Sequence, residues 1–172
     1  MKSGKIVAFM LVAIVISACQ ANYRIDGNNP QKVAAGVKSE HDEFKKQTRF
    51  TGPNSASEDY DLLMLRAIKT DATGAISYQI YVADYYSGEW RFYKSAYDSK
   101  GAKLETILIS RDVTGCDRTG CGHKEHLAIP VTLKYLEENM SSGVRFKISG
   151  KAGEEVFFIP GPYIQTFLSV AK

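Results

Sequence analysis

Cys116, Cys121, His123, Glu125 and His126 place four thiol or imidazole groups and one carboxylate within eleven residues. Thiolates and imidazoles are zinc-binding groups, so Cys-x4-Cys-x-His-x2-His is a candidate metal cluster. His123, Glu125 and His126 are the residues that a metal-dependent enzyme or hydrolase would use. Two features oppose that chemistry. The histidines are separated by fewer residues than the three to five of common zinc sites, and a strand through 123–126 would send the two imidazoles to opposite faces. The competing reading is a disulfide between Cys116 and Cys121, with Asp117-Arg118-Thr119-Gly120 as the turn. A redox role fits less well, because active dithiols favour two intervening residues at a helix start.

Tyr81, Tyr85, Tyr86, Trp90, Phe92, Tyr93 and Tyr97 concentrate aromatic rings in one expected hairpin. Exposed rings bind sugars or a partner protein, since each joins an apolar body to a polar tip. Tyr85, Tyr86, Trp90 and Arg91 form the candidate ligand-binding set, a carbohydrate-binding hairpin in that reading. Aromatic residues are also ordinary cross-strand packing, which is the preferred reading of the cluster. Other chemistry is sparse. Histidine occurs only at 41, 123 and 126, no serine stands in Gly-x-Ser-x-Gly, and no glycine-rich phosphate loop precedes a helix. Asp59, Asp61 and Asp84 read as turn and strand-end residues. The expectation is no catalytic residue, no metal and no cofactor.

The compartment in which these groups work is read from the other end of the chain. Two lysines and no acid precede an unbroken apolar run over residues 6–16, followed by Ser17, Ala18 and Cys19. The run is short for a spanning helix and has the layout of a signal peptide. Ile16-Ser17-Ala18-Cys19 resembles the lipobox of bacterial lipoproteins, an aliphatic and two small residues before an invariant cysteine. The resemblance implies a signal peptide over residues 1–18 and cleavage before Cys19. It also implies a diacylglycerol on the Cys19 sulfur and an acyl chain such as palmitate on the new amino terminus, together an effectively permanent anchor. Sorting to the outer membrane, facing the periplasm, is implied by Gln20, which replaces the aspartate that retains such proteins at the inner membrane. The alternative is a secreted protein cut near Ala18.

Cleavage would leave 154 of the 172 residues, enough for one domain with a core. Of 22 basic residues, Lys2 and Lys5 leave with the signal, so 20 face 19 acidic ones. That balance, without a long basic run, argues against nucleic acid as a partner. With Cys19 lipidated, the remaining even pair of cysteines in an exported domain reads as a disulfide.

The elements that must position these groups follow from periodicity. Residues 19–40 read as the lipidated terminus and a tether, with a short helix possible over 30–37, and residues 41–172 as a single domain. Period-two alternation marks strands over 42–50, 76–82 and 144–149, the stretches 90–97, 103–113, 123–131 and 154–159 read as further strands between turn signals, and the apolar run over 61–70 reads as an interior strand. Asp71-Ala72-Thr73-Gly74 and Asp98-Ser99-Lys100-Gly101 are turns between them. Thr132 caps a helix reaching Asn139, and Pro160-Gly161-Pro162 opens a terminal helix with an apolar stripe at Ile164, Phe167, Leu168 and Ala171. The fold class is mainly β: an antiparallel β-sandwich or barrel-like meander of about eight strands, with one helix before the last hairpin and one at the C-terminus.

The order Cys-x4-Cys, strand, leucine-rich helix, Gly, strand, turn, strand, helix is similar in layout to exported proteins of the invasion-associated locus B type. That resemblance implies a cysteine-stapled sandwich and no catalytic residues. The chain is thus expected to be a lipid-anchored cell-envelope protein of binding or structural role, whose partner is another envelope protein or the cell wall.

Overall fold

The computed structural model describes residues 24–59 and 61–172. The signal peptide over 1–18 and the lipidation site Cys19 lie outside the described residues.

The chain opens with α1 (Pro30–Gly36), where the Asn29 side chain accepts from the Lys32 N–H at 3.0 Å and Pro30 takes the first turn. β1 (Lys38–Asp42), β2 (Gln47–Thr51), β3 (Leu62–Thr70) and β4 (Ile76–Ser87) follow, then β5 (Ser95–Asp98), β6 (Lys103–Leu104), β7 (Ile107–Asp117) and β8 (Gly120–Val131). α2 (Leu133–Glu138), β9 (Val144–Ser149), β10 (Glu154–Ile159) and α3 (Gly161–Val170) complete the order. The ten strands form two antiparallel sheets, one ordered β1-β2-β3-β4-β8-β7 and the other β10-β9-β5-β6.

Alternation explains why the sheets stack. Leu63 and Leu65 of β3, Ile80 and Val82 of β4, and Leu127 and Ile129 of β8 share one face of the larger sheet and are fully buried. Phe146 and Ile148 of β9, with Phe157 and Ile159 of β10, belong to the same apolar cluster. α3 adds Tyr163, Ile164 and Phe167, all without solvent exposure, and so plugs the sandwich as the apolar stripe requires. The Tyr163 hydroxyl donates to the Pro53 carbonyl at 2.7 Å, which fixes the helix on the irregular segment between β2 and β3.

Four sequence expectations are corrected. Residues 24–40 are not a tether: the Ile25 N–H donates to the Asn54 carbonyl at 2.9 Å, Val33 is buried beneath α3, and β1 pairs with β2. The stretch 42–50 is a hairpin rather than one strand, because the Asp42 carboxylate accepts from the N–H groups of Phe44 and Lys45 and turns the chain. Residues 90–94 are a loop, leaving only β5 of the expected strand over 90–97. The stretch 103–113 divides between the sheets, β6 pairing with β5 and β7 with β8. With ten strands among the described residues, the fold is the expected mainly β, antiparallel one of about eight strands with a helix before the last hairpin and one at the C-terminus. The β7–β8 ladder also shifts register twice, between Leu108 and Ser110 and between Val113 and Gly115.

If residues 24–37 are part of the fold, Val33→Ala removes fully buried methyl groups and leaves a cavity. It should lower the unfolding free energy by about 2 kcal/mol and the melting temperature by roughly 6 °C. Unchanged thermal unfolding would return this segment to the status of a solvated tether.

Candidate functional site

The apolar core stops where β4 and β8 run past Val82 and Leu127. The next residues on that face are Asp84 and Tyr86 of β4, paired in register with Glu125 and His123 of β8. Two carboxylates therefore enter the space between the sheets, where an unpaired ion is strongly disfavoured. The loop over residues 88–94 closes this end and supplies their partners.

Glu125 has no solvent exposure and accepts four hydrogen bonds. Its Oε1 takes the Tyr86 hydroxyl and the Phe92 N–H at 2.7 Å. Its Oε2 takes the Tyr93 N–H at 3.1 Å and Nε of Arg111, the register neighbour on β7, at 2.9 Å. Burial alone would push this carboxyl up, but bonds from Tyr86, Arg111, Phe92 and Tyr93 hold it below the ordinary glutamate value. Asp84 is tied to the same loop: its Oδ2 accepts from the Tyr93 hydroxyl at 2.6 Å and from Arg91 Nη1 at 2.9 Å. Burial leaves Asp84 above the ordinary aspartate value despite both partners. The Arg91 N–H donates to the Tyr86 oxygen at 3.0 Å, and its carbonyl accepts from the β9–β10 turn at Lys151. Gly150 is required there, since a Cβ would strike the Arg91 backbone. Beside this network Asp61 is 4% exposed, accepts from the Tyr85 N–H at 2.8 Å, and is pushed up to about 6 by burial, then by Asp84 and Glu155.

The cysteine and histidine cluster separates on this framework. Cys116 and Cys121 sit opposite each other across the β7–β8 hairpin, with their sulfurs at disulfide distance, 2.10 Å. His123 faces inward, its Nε2 at 2.9 Å from the Gly88 carbonyl, so the ring carries its proton there; Trp90 lies against it with ring centroids 4.1 Å apart. His126 faces the opposite side of the sheet, with Nδ1 at 2.5 Å from the Tyr81 hydroxyl and Nε2 at 3.5 Å from Asp112. Glu125 lies on the His123 side with both oxygens engaged. Among the described residues no group of three or more His, Cys, Asp or Glu is placed to hold a metal ion.

The aromatic set also separates, so the residues of the candidate ligand-binding set do not share one surface. Tyr86 is buried, Arg91 is engaged with Asp84, and Tyr85 projects from the other face of the sheet beside Lys124. Trp90 remains half-buried. Three rings of the set reach solvent, Tyr85 on the other face, Tyr97 on β5 and Phe92 in the loop; Phe92 is 41% exposed, with the Arg111 guanidinium 4.9 Å from its centroid. Phe92 has φ of +50°, a conformation uncommon for a bulky residue. Leu108 and Val113, on the same face of β7 as Arg111, are exposed as well. Sequence reading named Phe92 in the aromatic cluster but left it out of the candidate ligand-binding set, and gave Arg111 no role. The available signal was the pair of acids interrupting the apolar alternation at Asp84 and Glu125.

No family model matches this chain, and no curated protein or solved structure does.

In Glu125→Gln the side-chain NH2 would face two donors whichever way the amide turns, so the variant should lose on the order of 3 kcal/mol in denaturant unfolding. Retention of wild-type stability would show that the four bonds do not organise this end. For Asp61, a folded-state value above the ordinary 3.8 means that the fold is favoured while the group is protonated. That contribution falls as pH rises from about 4 to about 6. The stability difference between Asp61→Asn and wild type should therefore grow in favour of the variant across this window and stay constant above it, as measured by pH-dependent unfolding.

Proposed function

We propose that the protein is a lipid-anchored cell-envelope binding protein, acting without catalysis or cofactor, and that another envelope protein is its partner. The carrying observation is Phe92, an exposed ring at positive φ, fixed through its own N–H by the buried Glu125 carboxylate. Backbone strain of this kind amounts to roughly 1–3 kcal/mol and persists only where its surroundings over-determine it, which is characteristic of ligand-contacting positions. Trp90 and Arg111 lie against the Phe92 ring, and Leu108 and Val113 are exposed on the Arg111 face of β7, a mixture of aromatic, arginine and aliphatic groups that suits a protein interface. The carboxylates nearby serve the scaffold, since each is bound by loop or strand donors. The anchor part of the reading rests on Ile16-Ser17-Ala18-Cys19 and the preceding apolar run. Among the described residues no helix is long and apolar enough to cross a membrane.

Phe92→Gly removes the ring and relieves the strained φ, so stability should stay within about 1 kcal/mol of wild type while partner contact is lost. A photo-crosslinking residue at position 92 should capture a discrete envelope protein that one at Phe44, exposed on the β1–β2 turn, does not. Equal crosslinking from both positions would remove the site assignment. Metabolic palmitate labelling should be present in the wild type and absent in Cys19→Ser; absence from both would remove the anchor.

A further inference from the structure

The larger sheet has a second face, turned away from the smaller sheet, and it carries a different pattern. Register places Lys38, Thr51, Arg66 and Gln79 side by side across β1 to β4 on this face. Every member of that row can donate hydrogen bonds and none is acidic. The adjoining row is apolar: Met64 and Tyr81, which with Ala83 and Leu62 form a small buried cluster of their own.

Arg66 stands at the boundary. Its guanidinium lies over the Tyr81 ring, 3.4 Å from the centroid. Among the described residues it has no carboxylate within ion-pair reach, and its buried Nε has no hydrogen-bond partner. Its neighbour Arg49 is satisfied by Glu40 at 2.8 Å, and the nearby His126 is matched with Tyr81 and Asp112. The side chain is half-buried, with Nε covered, and stacking on the ring holds the guanidinium N–H groups in a fixed plane, the geometry that binds carboxylate and phosphate oxygens in pairs. Thr51 and Gln79, its direct cross-strand neighbours, add a hydroxyl and an amide on either side.

We propose that Arg66, with Thr51 and Gln79, forms a binding site for a phosphate-type oxyanion, separate from the Phe92 surface. Free phosphate and a lipid headgroup share this chemistry; the apolar row at Met64 and Tyr81 would give an acylated ligand additional contact.

The test is calorimetric titration of the full-length protein with inorganic phosphate and, separately, with a short-chain soluble phosphatidylglycerol below its micelle concentration. Nε–H signals of arginine are followed by NMR in parallel. Saturable binding of either probe, with movement of the Arg66 Nε–H signal, is expected. Arg66→Gln should weaken it at least tenfold, and Arg66→Lys should fail to restore it, since a point charge lacks the planar fork. Thr51→Val should weaken it to a smaller degree, and Lys134→Gln, on exposed α2, should leave it unchanged. Binding of phosphate alone identifies a free-anion site, and binding of the lipid alone identifies a headgroup site. Binding of neither probe, or binding that survives Arg66→Gln in a folded variant, overturns the proposal.

Discussion

The Glu125 carboxylate is the interaction on which this end of the sandwich depends. A carboxylate with no solvent exposure is tolerated when every oxygen lone pair in use meets a donor, and Glu125 meets a hydroxyl, a guanidinium and two peptide N–H groups. Those donors come from β4, β7 and the loop over 88–94. One side chain thereby joins the edge of the larger sheet to the chain that closes the gap between the sheets. Asp84 repeats the device through Arg91 and Tyr93. The result is a loop held by charge-assisted bonds as well as by burial of the Tyr93 ring, with the Phe92 ring left facing outward.

The two faces of the larger sheet consequently differ in kind. The inner face turns from apolar to ionic along the strands, with its charges consumed by the scaffold. The outer face is polar in one row and apolar in the next, and Arg66 lies on it with a ring beneath and no acid beside it. His123 and His126 belong to different faces for the same reason that Tyr85 and Tyr86 do: successive side chains on a strand alternate, so proximity in sequence separates them in space.

Much of the fold was legible from period alone. The alternation over 76–82 and 144–149, the turn at Asp71 to Gly74, the Thr132 cap and the stripe of the terminal helix all appear where residue types place them. The failures share a physical cause. Residues 24–40 hold few apolar side chains, and Val33 becomes a core residue only because α3 lies over it. Residues 90–94 have strand-like composition, yet the Phe92 and Tyr93 N–H groups are taken by Glu125, more than thirty positions away, and the Arg91 N–H by the Tyr86 hydroxyl, so no ladder runs through them. The candidate site was legible as a list of unusual residues and not as an arrangement. The ionic partners of Glu125 and Asp84 are set by sheet pairing and loop closure, which no local pattern encodes.

β7 lies at the outside of its sheet, and long uncovered edges usually invite another chain to extend the ladder. Its two register shifts bend and twist the strand, so no long straight run of free backbone groups remains for an incoming strand to match. Association from that side therefore favours contact between side chains over sheet extension. The same irregularity that interrupts pairing with β8 guards the molecule against edge-to-edge stacking while leaving Val113 and Arg111 open to a neighbour.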